Sequence, residues 1–352
     1  MATYDRIADL PLRIDDYALE SLSRDVSSGF TRVSTVIRLR GGGHEGVGED
    51  VSYDEDDQRA LQRAGATRPL AGDWTLDTFS RHLATLDLWP EPARHEASVD
   101  YRVWAYESAA LDLALRQAGR PLHDVLERTP RPLTFVVSYR LPGDPPTIDP
   151  LRRRLDDYPT LRFKLDPTSA WGDELIAQLA ATGAVDSVDF KSFYKGTVVD
   201  QEPDPDLYAR VIAAFPDAWI EDPALTPETS PVLAGHHDRI TWDAPIHSVA
   251  DIEALAFPPK MVNIKPSRFG ALRNLFAAYD HCEAHGIGGY GGGQFELGPG
   301  RGHIQYLASV FHPDTPNDVA PTGYNATELE PGLPSSPLAP RPSAIGFRWD
   351  DA

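Results

Sequence analysis

The feature that most constrains this chain is an alternation of short strand candidates and helical stretches that begins at Pro132. The strand candidates lie at 134–139, 161–166, 187–191, 218–221, 240–243, 262–265, 286–290 and 293–296, with helices such as 173–181 and 272–284 between them. Eight strands separated by helices are the count a closed parallel barrel requires, so the expected fold class is α/β, a (β/α)8 TIM-like barrel.

Side chains alternate across a strand, so one face can be read directly. In 161–166 the apolar residues take one face and Arg162, Lys164 and Asp166 the other. The same division sets Asp189 with Lys191 against Val188 with Phe190, Glu221 against Ile220, Asp243 against Trp242, and Asn263 with Lys265 against Val262 with Ile264. The ionisable residues come last in each strand, at the end where barrel active sites form. Burying an unpaired charge costs several kcal/mol, so five strands each pointing an ion inward imply ions that satisfy one another or a ligand.

Asp189, Glu221 and Asp243 form an oxygen-only set suited to a hard divalent cation, Mg2+ or Mn2+; no histidine ends these strands, which disfavours zinc. Lys164 and Lys265 stand on either side, placed to act as bases if burial beside a cation lowers their pKa values. Two lysines facing one another across a metal suggest removal of an acidic C–H proton. Tyr139 and Arg140, at the end of the first strand, are placed to meet a substrate.

Ahead of the barrel, residues 30–39 alternate towards β-branched types, turn at Gly41-Gly42-Gly43 and return through 46–49, after which helical spacing runs through 74–88 and 103–115. The expected division is an α+β domain over 1–130, the barrel over 131–320, and a tail over 321–352, rich in Pro and Ser over 331–342, that crosses back over the first domain. Acidic residues number 53 against 33 Lys and Arg, a net charge of −20, so nucleic acid is repelled and a small anionic substrate needs a local cation. The single cysteine, Cys282, excludes an intramolecular disulfide and a Cys-rich zinc site. Residues 1–13 have neither the apolar core of a signal peptide nor the length of a membrane span. The expectation is a cytoplasmic protein with a small carboxylate substrate and neither nucleic acid nor membrane as partner, a homo-oligomer being left open.

These residues resemble the enolase superfamily, and within it the muconate cycloisomerase-like group, over nearly the whole chain. The resemblance rests on Arg162-Phe163-Lys164, similar to that group's Lys-x-Lys, on Asp189, on Trp219-Ile220-Glu221-Asp222-Pro223, on Asp243, on Asn263-Ile264-Lys265-Pro266 and on Gly293-Gln294-Phe295-Glu296. In the first domain, 108–114 followed by Gly119-Arg120-Pro121-Leu122 is similar to the family's joining helix. The resemblance implies a capping domain with lids at 25–32 and 48–54. It also implies a barrel that removes a proton α to a carboxylate with stabilisation of the enediolate, as in cycloisomerases, syn-dehydratases and racemases or epimerases. Lys164 and Lys265 would be the acid/base pair, Asp189, Glu221 and Asp243 the Mg2+ ligands, and Arg162, Lys191, Asn263 and Glu296 would support substrate or metal.

The chain departs from the pattern at two places. Lys191 stands where the family has Asn, and Arg162 replaces the first lysine of Lys-x-Lys and cannot serve as a base. A register slipped by two would instead pair Lys164 with the first lysine and Asp166 with the second; the position of Asp173 favours the unslipped one. Two alternatives stay open: a metal-free or non-catalytic ligand-binding member of the fold, and an acid-sugar dehydratase. The second lacks its histidine, since His281 and His285 flank the start of the seventh strand.

Overall fold

The computed structural model describes residues 2–26, 30–197, 199–326 and 328–350. Strands β1 (Pro11–Ile14) and β5 (Gly72–Thr75) pair with each other, and β2 (Asp16–Asp25), β3 (Thr31–Gly41) and β4 (His44–Asp50) form an antiparallel meander. The first domain therefore has one more long strand than the sequence pattern suggested. Most of β2 is half-buried or exposed, and Glu20, Ser21, Ser23 and Arg24 dilute the apolar alternation that would mark it.

The 21-residue helix Ala97–Gln117 lies across β4. A Cβ on Gly48 would stand 2.0 Å from the carbonyl oxygen of Ala105, and one on Gly46 2.3 Å from that of Ala109. These strand glycines serve the close approach of a helix backbone to the sheet.

The second domain is a curled parallel sheet whose strands follow chain order: β6 (Val137–Tyr139), β7 (Phe163–Leu165), β8 (Val185–Asp189), β9 (Trp219–Glu221), β10 (Ile240–Trp242), β11 (Met261–Ile264) and β12 (Gly288–Gly291). The expected eighth strand at 293–296 is corrected: no strand forms there, and Phe295 adopts a left-handed backbone with φ 54°. The sheet curls closed through Asn317 and Asp318 instead. The Val136 N–H donates to the Asn317 carbonyl at 2.8 Å, and the Asp318 N–H donates to that of Gly291 at 2.8 Å. Two bridging residues carry no alternation to read, which is why the pattern did not reveal them. No helix among the described residues is long and apolar enough to cross a membrane.

Buried acids join the domains. Glu49, at the end of β4, accepts the N–H groups of Leu297 at 2.7 Å, Gly298 at 3.0 Å and Gly300 at 3.0 Å, so the capping sheet supplies a carboxylate to the amino terminus of helix Pro299–Phe311. From the tail, the Phe347 N–H and the Arg348 guanidinium both donate to Asp112 at 2.8 Å.

Glu107 makes a similar joint, accepting the N–H of Leu272 at 2.9 Å while Ser80 donates to its other oxygen. Burial lifts its pKa from 4.5 to about 7. The folded protein thus holds this proton more tightly than the unfolded chain, so the stability it contributes is full below pH 4.5 and is lost as pH rises to about 7. Glu107→Gln is expected to raise stability at pH 8 by about 3 kcal/mol, with the gain vanishing near the unfolded-chain value. Melting curves at pH 4.5 and 8 check this; equal differences at both would exclude a titrating Glu107.

Candidate active site

The parallel register brings the strand ends to one level. Leu165 lies beside Val188, and Asp189 beside Glu221. Asp166 therefore stands level with Asp189, and Lys164 starts one inward position deeper. Four non-glycine residues have positive φ among the described ones, and three of them, Lys191 (54°), Asp222 (48°) and Phe295 (54°), follow strand ends at this mouth. Such backbone is costly for residues with a Cβ and clusters at functional sites.

Lys164 reaches up from β7 to bond Asp189 Oδ2 at 3.0 Å and Glu221 Oε1, with Asp318 at 3.7 Å. The other Glu221 oxygen accepts the Tyr290 hydroxyl at 2.7 Å. Lys191 bonds Asp189 Oδ2 through its ammonium and Oδ1 through its N–H at 3.0 Å. Asp243 holds Lys265 at 2.8 Å and Arg268 at 2.7 Å, and accepts the Tyr194 hydroxyl at 3.1 Å. Asp222 accepts the N–H groups of Asp243 at 2.8 Å and Ala244 at 2.9 Å.

These contacts set the charges. Burial draws the Lys164 ammonium down, but Asp189 and Glu221 outweigh it and hold its pKa well above the usual lysine range. For Lys265 burial wins over Asp243, with Arg268 and Lys164 adding repulsion, and the pKa falls. Burial pushes Glu221 well up and Asp222 to about 7. Asp243, also buried, is nonetheless held well below the carboxylate range by Arg268 and Lys265.

Of the residues expected at the site, Lys164, Asp189, Lys191, Glu221, Asp243 and Lys265 converge here. Asn263 joins them below Lys265; both its amide atoms are buried without a hydrogen-bond partner, and the bare Gly292 opposite leaves them room. Three others lie elsewhere. Arg162 pairs with Asp186 at the start of the strands, since it precedes β7 by one residue. Tyr139 turns to the helix side, beneath Arg154 at 4.5 Å and beside Phe163. Glu296 accepts the N–H of Gln294 at 2.6 Å and faces Arg301 at 3.0 Å. Residues 27–29 of the first expected lid lie outside the described residues; from the lids, Phe30 meets Phe295 edge to face and the Tyr53 hydroxyl donates to Gln294 at 2.9 Å.

The face reading had missed Tyr194, Asp222, Arg268, Tyr290 and Asp318. Arg268 had a local signal, three residues after Lys265 on the turn that follows β11; Tyr290 ends its strand; Asp318 had none.

The ligand atoms of Asp189, Glu221 and Asp222 come within 4.8 Å of one another, a buried acidic cluster that could hold a metal. Six carboxyl groups (Asp166, Asp189, Glu221, Asp222, Asp243 and Asp318) gather around the Lys164, Lys191, Lys265 and Arg268 cations, and burial favours the protonated form of Glu221 and Asp222. Asp166 Oδ1 is buried with no hydrogen-bond partner. An oxygen-rich, buried set that includes a carboxylate oxygen without a donor fits a hard divalent ion.

A curled parallel sheet capped by an α+β domain is a fold this chain shares with solved members of the enolase superfamily, among them one from Listeria innocua, matched with a TM-score of 0.66 at 18% identity over 88% of this chain and 86% of that one. The dipeptide epimerase from Methylococcus capsulatus complexed with Mg ion matches with a TM-score of 0.70 at 20% identity, covering 96% of this chain and 100% of that one. The muconate lactonizing enzyme from Pseudomonas putida matches with a TM-score of 0.61 at 19% identity, over 87% of this chain and 88% of that one. The chain belongs to the family described as Domain of unknown function (DUF8230), whose N-terminal domain matches residues 5–125 and whose C-terminal domain matches 129–326. It is also 25% identical over 360 residues to N-succinylamino acid racemase of Thermus thermophilus, covering 97% of this chain and 92% of that protein.

Proposed function

We propose that this protein is an enzyme that removes, and in a racemase or epimerase returns, a proton α to the carboxylate of a small substrate, with Mg2+ or Mn2+ bound. The observation that carries the reading is the convergence of Lys164 and Lys265 from different strands onto one buried cluster of acids, each already ion-paired to it. The likeness to a dipeptide epimerase and to an N-succinylamino acid racemase supports it. Asp189 and Glu221 would hold the ion, with Asp243 as third ligand once Lys265 and Arg268 release it. When bound, the ion neutralises charge that develops on the substrate carboxylate.

Lys265 is the base in this reading, since its environment favours loss of a proton, and Lys164, held as an ammonium, is the acid. Lys265 lies beside Asn263, whose free amide is available to orient a substrate. One observation favours the metal-free binding alternative: Asp189, Glu221 and Asp243 each already hold a cation of the chain.

The test needs no knowledge of the final product. N-acylated amino acids, dipeptides and unsaturated cyclic acids incubated with the enzyme and Mg2+ in deuterated water should show α-deuterium in at least one compound. Lys265→Ala should abolish exchange from one face and Lys164→Ala from the other. Exchange persisting in the double variant would place the base elsewhere, and no exchange with any compound would favour the binding alternative.

A further inference from the structure

Lys191 has two carboxylates within reach and is bonded to one of them. Its ammonium sits on Asp189 Oδ2, aimed there by a left-handed backbone at φ 54° and by its own N–H on Asp189 Oδ1. The second carboxylate is Asp166, level with Asp189 on the neighbouring strand. Its Oδ1 lies 3.8 Å from the same ammonium, beyond hydrogen-bond length, and is buried without any partner. A buried carboxylate oxygen lacking a donor beside an ammonium bonded elsewhere is an arrangement of two alternative pairs.

We infer that Lys191 is a tethered cation that alternates between Asp189 and Asp166, and that its position decides whether Asp189 is available to a divalent ion. With the ammonium on Asp189, a metal meets a like charge at its ligand. With the ammonium on Asp166, Asp189 Oδ2 loses one of its two lysine contacts and the unpartnered Asp166 oxygen gains a donor. The exchange keeps every buried charge paired, so Asp166 acts as a positioning residue through Lys191 and need not touch the metal. Tyr194, whose ring centroid lies 5.2 Å from the Lys191 ammonium, faces it in the present position. The inference rests on the metal-binding part of the proposed function.

Calorimetric titration with MgCl2 and with MnCl2, together with melting curves, tests it on the full chain as wild type, Lys191→Met, Asp166→Asn and the double variant. Lys191→Met should bind at least about tenfold more tightly than wild type, and Asp166→Asn at least about tenfold more weakly, with melting temperatures moving in the same order. In the Lys191→Met background, Asp166→Asn should lose most of its effect, because there is no ammonium left to receive. Additive effects in the double variant would reduce both residues to general electrostatics and overturn the alternation. Equal affinities in all four proteins would overturn it too while leaving metal binding intact. No binding in any of them would overturn both this inference and the metal-dependent reading. Lys191→Gln supplies the same comparison should the Met variant not fold.

Discussion

Glu221→Gln is expected to reduce α-proton exchange by on the order of 10²–10³-fold, the scale of losing one charge-stabilising contact in a closed site, while leaving the fold intact. Glu221 is fully buried between the Lys164 ammonium and the Tyr290 hydroxyl. Glutamine keeps the shape, its carbonyl oxygen able to accept from the Lys164 ammonium while its NH2 donates to the Tyr290 hydroxyl oxygen, and Lys164 retains Asp189 and Asp318 as counter-ions. Burial already favours the neutral form of Glu221, which the amide resembles, so the melting temperature should hold as exchange falls. Exchange rates from mass spectrometry and thermal melting on the same preparation separate the two effects. Undiminished exchange would take Glu221 out of the chemistry.

The opposite division of effects is expected at Asp243. This carboxylate is the sole salt-bridge partner among the described residues for Lys265 at 2.8 Å and for Arg268 at 2.7 Å. Asp243→Asn leaves two cations facing a neutral amide in the interior, which costs about 3–5 kcal/mol when a buried pair is broken from one side. Because the Asp243 pKa lies well below the ordinary range, the group is ionised in the folded protein at all moderate pH values, and its own contribution is fully present at both pH 6 and pH 8. Urea unfolding measures it, and Asp243→Asn combined with Arg268→Met should recover part of the loss by removing one unmatched cation. A loss below about 1 kcal/mol, the scale of an exposed ion pair, would mean that water reaches these groups.

The lysines and acids at the site were legible because a strand in a barrel reports its own orientation. Once Ile220, Trp242 and Ile264 mark the face turned to the helices, Glu221, Asp243 and Lys265 follow on the other, with no knowledge of the neighbouring strands. The same rule misled at Arg162, and place at a strand end misled at Tyr139. Alternation gives a face and not a height, so Arg162, on the correct face, pairs with Asp186 at the far end of the barrel. Tyr139 ends its strand but packs under Arg154 on the helix side, where a long aromatic ring finds a cation. Asp318 and the closure at Asn317 were invisible because two residues have no period.

What the sequence determined by itself was local: the strand–helix alternation, the inward face of each strand, and the glycines at 46 and 48, whose lack of a Cβ admits the helix Ala97–Gln117. What only the tertiary structure decided was pairing across strands. Lys191 bonds Asp189 and leaves Asp166 Oδ1 without a donor, and Glu49 caps a helix that begins about 250 residues later. The physical reason is range. Side-chain direction follows from backbone geometry one residue at a time, whereas the partner of a buried charge depends on register and on distances of about 4 Å or less between segments remote in the chain.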